Sequence, residues 1–195
     1  MVGSGILREE IYLRNIFFLL FCACVVGSSG CGARLNYSVS AEGRVKEAIV
    51  EALDSVHDPE LAARKIIVTV YGGVDYRYFS IKSYCSHQAL CFIDISWPFA
   101  AWLHPDELKV VVLHEMGHIR RMEMESSVRS LPDEIQADSF AAFHLPECGV
   151  SPWVSIELLQ RLQLEEPDLE TPERVARLEF ILNAKKMIQE SKNRQ

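Results

Sequence analysis

The sequence has no run of Lys or Arg, no internal repeat and no low-complexity block, and its formal net charge is -7. Without a basic patch it lacks the feature with which nucleic-acid-binding proteins neutralise phosphates, so we expect no nucleic-acid partner. Hydrophobic residues make up 49% of the 195 residues, as is typical of a globular protein. This length predicts a single domain with its own hydrophobic core and is too short for two ordinary domains.

The apolar run near the N-terminus, residues 16–26, is shorter than the roughly 20 residues of an ordinary membrane span. Arg8 and Arg14 flank its start, and small residues separate it from Cys31. This order predicts an export signal over residues 1–30 and resembles a bacterial lipoprotein signal, in which Cys31 would become the acylated first residue. We therefore expect an exported lipoprotein, anchored in a membrane and facing the periplasm or cell exterior. A simple secretion signal and an uncleaved N-terminal anchor remain the alternatives.

Few cysteines would remain after such export. Cys22 and Cys24 would leave with the signal and Cys31 would be modified, which leaves Cys85, Cys91 and Cys148. In an oxidising compartment Cys85 and Cys91 could close a short loop, with Cys148 as a buried thiol. The sequence does not decide whether that disulfide forms.

The hydropathy pattern after residue 30 predicts an α+β domain. Residues 31–40 read as a polar tether, and residues 41–190 form the predicted folded domain. Strands are predicted where short β-branched or apolar runs lie between turn residues, and helices where apolar residues recur at helical spacing after capping residues. The predicted strands are 66–71, 78–83 and 91–95, and the predicted helices are 41–56, 105–121, 132–144, 151–164 and 171 onward.

The best-predicted helix contains an H-E-x-x-H motif, His114-Glu115-Met116-Gly117-His118. Histidines four residues apart project from one face of a helix and can bind one Zn²⁺. Glu115 lies on an adjacent part of that face, where its carboxylate could take a proton from zinc-bound water without being a ligand. The motif thus predicts a catalytic site with one zinc ion per chain.

A catalytic zinc site needs a third protein ligand, and the next predicted helix offers one. Glu134 and Asp138 lie four residues apart, sixteen and twenty residues after His118. We assign Glu134 as the third zinc ligand and Asp138 as the carboxylate that orients one of the ligand histidines. The alternative is an exposed acidic helix start, because Asp133 and Glu134 also suit a helix N-terminus.

Together these segments resemble a known family of enzymes. HEMGH after ELKVVVL, followed by EIQAD, FHLPECGVSP and TPERVARLEFI, is similar to the gluzincin zinc metallopeptidases that include the HtpX heat-shock protease, the CAAX prenyl endopeptidases and periplasmic lipoprotein proteases. The resemblance spans residues 66–181, and the missing membrane spans of the HtpX branch favour the lipoprotein branch. It implies a zincin-like fold, in which a small mixed sheet packs on an active-site helix and its edge strand, within residues 78–95, binds the substrate as an extended strand.

The implied activity is endopeptidase cleavage of exported or membrane-associated proteins. The family often has His where this chain has Thr171, whereas Arg177 matches the arginine that follows. Arg177 is therefore a candidate for stabilising the oxyanion of the reaction, with a structural ion pair as the alternative. Two other functions stay open: a chaperone-like zinc-binding protein with little proteolysis, and a self-inhibited protease in which His144 or His87 fills the fourth zinc position.

Overall fold

The computed structural model describes residues 35–72, 80–87, 89–121, 130–165 and 167–192. The predicted export signal, Cys31 and the start of the predicted strand 78–83 lie outside these residues. The described part is a mixed α+β fold, as predicted. Its strands are β1 Asn36–Ser40, β2 Lys65–Tyr71, β3 Ile81–His87 and β4 Leu90–Ser96. Its helices are α1 Gly43–Asp54, α2 Pro59–Ala62, α3 Trp97–Trp102, α4 Pro105–Arg121, α5 Leu131–His144, α6 Val154–Glu165 and α7 Thr171–Lys192, with a 3-10 turn at Leu145–Cys148.

The four strands form one mixed sheet in the order β1-β2-β4-β3. β2 pairs in parallel with both β1 and β4, whereas β3 is antiparallel to β4. Alternate residues of the central strands, including Ile66, Val68, Ile93 and Ile95, are fully buried. Because side chains alternate across a strand, this face of the sheet forms part of the core.

β1 lies in the segment predicted to be a tether. Its five residues pair in parallel with β2, from Asn36 opposite Lys65 to Ser40 opposite Thr69. The tether prediction for residues 36–40 is therefore wrong. The polar Asn and Ser residues of this segment do not indicate a strand. It forms a strand through its pairing with β2 and not because of a local hydrophobic run.

β3 begins and ends later than predicted, and it extends to His87. A disulfide joins Cys85 of this strand to Cys91 of β4, which lies opposite it in the antiparallel register. The sequence had left this bond undecided. Cys148 is a free thiol, but it is partly exposed and not buried as expected.

α4 is the helix around which the described elements pack, and its bounds are those predicted. It contacts α1, α5 and β3, and Leu113, Met116 and Ile119 on it are fully buried. Asp106 and Glu107 lie in its first turn and Arg120 and Arg121 in its last, which matches the helix dipole. This central position places the H-E-x-x-H motif inside the fold.

A second, smaller hydrophobic cluster joins α5, α6 and α7. Its members are Ala142, Ile156, Leu159, Leu178 and Leu182. The cluster packs α7 against α5, the helix that carries Glu134 and Asp138. Within the described ranges, no helix combines the length and apolar character required to cross a bilayer.

Candidate metal centre

The two motif histidines stand one turn apart on α4 and point to the same place. Their Nε2 atoms lie 3.0 Å apart, and the rings meet edge to face at a centroid distance of 4.7 Å. His118 is buried, and the side chain of His114 is 13% exposed. The helical spacing of four residues produces this convergence directly.

Glu134 reaches the same point from α5. A capping box between Ser130 and Asp133 starts that helix, so Asp133 serves the helix end and Glu134 is turned inward. Its carboxylate oxygens lie 3.2 Å from His114 Nε2 and 3.3 Å from His118 Nε2. With its side chain only 14% exposed, Glu134 is not the exposed acidic residue of the alternative interpretation.

The three side chains make a donor set that could hold a metal ion. One ligand atom from each lies within 4.8 Å of the others. Ligands bound tetrahedrally at about 2.0–2.1 Å from a metal lie about 3.3 Å apart, close to the separations of 3.0 to 3.3 Å among these atoms. Two imidazole nitrogens and one carboxylate thus fit a divalent metal. In the described part of the chain, His114, His118 and Glu134 are the one group of this kind.

Gly117 allows the two helices to come together here. A Cβ atom at this position would lie 2.9 Å from Cα of Ala137 and 3.1 Å from Cβ of Phe140 on α5. Only glycine permits such a close approach of the helix backbones. The glycine inside the motif therefore sets the distance between the histidines of α4 and the glutamate of α5.

Asp138, on the same helix as Glu134, lies against the ring of His114. Its Oδ1 lies 2.9 Å from His114 Nδ1, so that the other ring nitrogen, Nε2, faces Glu134 and His118. A carboxylate on one ring nitrogen keeps the proton there and leaves the other nitrogen able to bind a metal. Asp138 is itself buried, so its charge needs a partner.

That partner is Arg174, a residue that the sequence analysis missed. Its Nε and Nη2 donate to the two oxygens of Asp138, both at 2.8 Å, and its Nη1 lies 3.5 Å from Glu134. Arg177, the sequence-based candidate for an active-site role, is not brought to the cluster. Its side chain is 63% exposed and pairs with Glu173 at 3.6 Å, which is the ion-pair alternative.

Arg174 lies on the buried face of α7, whereas Arg177 does not. Thr171, Leu178 and Leu182 are buried and mark one face of α7, and Arg174 lies on that face three residues from Thr171 and four from Leu178. Arg177 lies off this face. Asp168, which accepts hydrogen bonds from the backbone of Glu170 and Thr171, fixes the first turn of α7 and hence the position of Arg174.

Burial and hydrogen bonds shift the pKa values of three residues of the cluster. Burial alone lowers the pKa of His114, but hydrogen bonds to Asp138 and Glu134 outweigh it and raise the pKa to about 9. Burial raises the pKa of Glu134, but hydrogen bonds with both histidines hold it well below its usual range. The pKa of Asp138 is also lowered, because Arg174 and His114 outweigh its burial. Both carboxylates are therefore anionic at neutral pH.

Glu115 is placed beside this cluster and not in it. The residue is 2% exposed, and its Oε2 accepts a hydrogen bond from the hydroxyl of Ser83 on β3 at 2.5 Å. Next to a group that could hold a metal, a carboxylate outside the donor set can act as a base for a substrate or water molecule.

An open cavity adjoins the cluster. Glu134 and Arg174 line it together with Asp168, Leu169 and Glu170 of the segment before α7. Leu169 is almost fully exposed at its rim. The cavity gives the cluster a path to solvent, which a site that acts on external molecules requires.

Comparison of the chain with protein-family models, with curated proteins and with solved structures finds no match.

Proposed function

We propose that this protein is a zinc-dependent endopeptidase of the gluzincin type, similar to the HtpX and CAAX prenyl endopeptidase group. One observation carries the proposal: the three-residue donor set of His114, His118 and Glu134 lies beside Glu115, a carboxylate that is not part of it. Two histidines and a glutamate are the ligand set of known zinc peptidases, and a site with three protein ligands keeps a position for water or substrate.

Zinc suits this donor set better than calcium or magnesium does. Zinc binds imidazole nitrogen together with carboxylate, whereas calcium and magnesium prefer oxygen ligands alone. Bound zinc would lower the pKa of water toward about 7 and polarise a substrate carbonyl. Asp138 and Arg174 support the site by fixing His114 and by balancing the buried charge.

The residues of this chain then divide the work of peptide hydrolysis. Glu115 accepts a proton from the attacking water, the water oxygen bonds to the peptide carbonyl carbon, and the carbon–nitrogen bond breaks. The same carboxyl group passes its proton to the departing amine nitrogen. One water molecule is consumed, and the products are a new carboxylate and a new amine.

The sheet offers a place for an extended substrate. β3 lies at one end of the strand order, pairs with β4 on one side and contacts α4, which carries the motif. A peptide added as a further strand would gain backbone hydrogen bonds there and pass the cluster. This arrangement supports the zincin-like architecture within the wider α+β fold. The proposed substrates are exported or membrane-associated proteins, and the proposed anchor is the acylated Cys31.

The test is metal content and cleavage of unstructured casein by the zinc-loaded protein, its Glu115→Gln variant and its Glu134→Gln variant. We expect about one zinc per native chain together with cleavage. Glu115→Gln should keep zinc and lose cleavage, whereas Glu134→Gln should lose most of its zinc. Glu147→Gln, which changes an exposed glutamate near the end of α5, is the matched control and should behave like the native protein.

The remaining outcomes separate the alternatives. A native protein that holds zinc and cleaves nothing would favour the chaperone-like or self-inhibited protein. A native protein that holds no zinc would overturn the proposal, and equal zinc loss in Glu115→Gln and Glu134→Gln would overturn the division of roles between the two glutamates.

A further inference from the structure

Ser83 is a buried polar residue in contact with Glu115, and the hydrolysis described above does not use it. The residue is 7% exposed, and its hydroxyl donates to Oε2 of Glu115 across the interface between β3 and α4. Both partners are removed from solvent. A hydrogen bond to a buried charged group is stronger than one at the surface, so this contact can fix the orientation of the carboxylate.

The strand that carries Ser83 is held in place on its other side. Ser83 lies opposite Ile93 in the antiparallel register with β4, and the Cys85–Cys91 disulfide ties the same two strands two residues further on. Ile93 is fully buried in the core. The hydroxyl is thus attached to a rigid part of the sheet, as a positioning group must be.

A glutamate that acts as a base needs such a support. Its side chain has three rotatable bonds, and the base must hold one geometry relative to the water that it deprotonates. Glu115 extends from the same helix turn as His114, so the helix fixes its Cα but not its carboxylate. A fixed donor from the sheet removes that freedom.

We propose, resting on the peptidase function proposed above, that Ser83 is a positioning residue that holds the carboxylate of Glu115 for proton transfer. In this role Ser83 acts through Glu115 and is not one of the three metal-binding residues. Its removal should therefore slow the chemical step and spare zinc and substrate binding. A serine that only fills space in the interface would not produce that separation.

The first experiment compares the zinc-loaded Ser83→Ala and Ser83→Thr variants with the native protein on a fluorogenic peptide. We expect Ser83→Ala to lower kcat about tenfold, a part of the 10²–10⁴ that general-base catalysis typically contributes, with KM changed less than about twofold. Ser83→Thr keeps a hydroxyl and should recover most of kcat. Ser40→Ala, which changes an exposed serine on β1 at the other end of the sheet, should match the native protein, and zinc content should be equal in all four.

The second experiment needs no activity. Melting temperatures of the metal-free native protein, Ser83→Ala, Glu115→Ala and the double variant form a double-mutant cycle. We expect Ser83→Ala to lower the melting temperature by about 4 °C when Glu115 is present and by much less when it is absent.

The outcomes distinguish this proposal from the one on which it rests. A native protein that cleaves, with Ser83→Ala equally active or with additive melting temperatures, would overturn only the role of Ser83. Loss of zinc in Ser83→Ala would likewise assign the residue to the metal site and not to the base. A zinc-loaded native protein that does not cleave favours the chaperone-like or self-inhibited protein, and it overturns the active peptidase on which this role of Ser83 rests.

Discussion

Asp138 lies 2.9 Å from Nδ1 of His114, on the side of the ring opposite to Glu134. The contact links the candidate metal-binding cluster to α7 through Arg174, which donates to both oxygens of the same carboxylate. Partners of this kind fix the tautomer and direction of a ligand histidine. Asp138 therefore belongs to the candidate site, although it contacts the ring nitrogen of His114 that faces away from Glu134.

The Asp138→Asn variant tests this relationship. An amide cannot hold the Nδ1 proton of His114 as a carboxylate does and leaves Arg174 partly unpaired, so we expect zinc affinity to fall 10- to 100-fold. Competition with a chromogenic chelator measures that affinity. Asp133→Asn is the matched control, because Asp133 caps the same helix and its side chain is 34% exposed. Equal affinities of Asp138→Asn and the native protein would contradict the prediction.

Arg174 and Arg177 provide a second comparison on one helix. Arg174→Ala would leave the charge of Asp138 buried without its main partner, which typically costs about 3 kcal/mol in free energy of unfolding. Arg177→Ala removes an exposed ion pair and should change that free energy by less than about 0.5 kcal/mol. Urea denaturation of the metal-free proteins measures both. Equal losses in the two variants would contradict the roles assigned to these arginines.

Helix periodicity was enough to predict which residues of the candidate site lie on the same helix face. The four-residue spacings of His114 with His118 and of Glu134 with Asp138 follow from local geometry, so these residues could be paired without a structure. Arg174 could not be separated from Arg177 in this way, because both are arginines near acidic residues. Which arginine points towards the cluster depends on how α7 is rotated against α5. The spacing of Thr171, Leu178 and Leu182 does indicate this rotation, because these residues mark the buried face of α7.

For the fold, too, the sequence predicted the elements that local signals determine and missed those that long-range pairing determines. α4 was predicted from Pro105 to about Arg121, close to its observed bounds, because its caps, charges and apolar run agree with one another. β1 was missed, because Asn36–Ser40 is a strand only through its pairing with β2. Ends of β3 were misplaced for a related reason: its register is set by β4 and by the Cys85–Cys91 disulfide, both of which are long-range features that hydropathy does not show.

The metal-free protein should lose stability as pH rises from neutral. The pKa of His114 is raised from 6.5 to about 9, so folding favours its protonated form. This stabilisation is complete below about pH 6.5 and disappears as pH rises through about 9. In the presence of EDTA, the urea concentration at the denaturation midpoint should therefore decrease as the pH is raised from 6.5 to 9.5. The decrease should be smaller in His114→Gln. The same pH slope in both proteins would contradict the assignment.

Gly117→Ala tests whether helix spacing controls the metal site. Alanine is favoured over glycine in a helix by about 1 kcal/mol, so an unhindered site would gain stability from this change. Here the added Cβ would lie 2.9 Å from Cα of Ala137, which is backbone and cannot rotate away. Overpacking of this kind costs about 1–3 kcal/mol, and α5 must move away from α4 to relieve it.

That movement carries Glu134 away from the two histidines, so we expect zinc affinity in Gly117→Ala to fall at least about tenfold, as for a loss of ligand orientation. Phe140→Ala is the control. Its Cβ stays in place and the helix spacing is kept, while the lost ring costs about 3 kcal/mol of stability. If zinc affinity falls equally in both variants, general loss of stability explains the effect. A fall confined to Gly117→Ala means that the distance between α4 and α5 sets the geometry of the metal site.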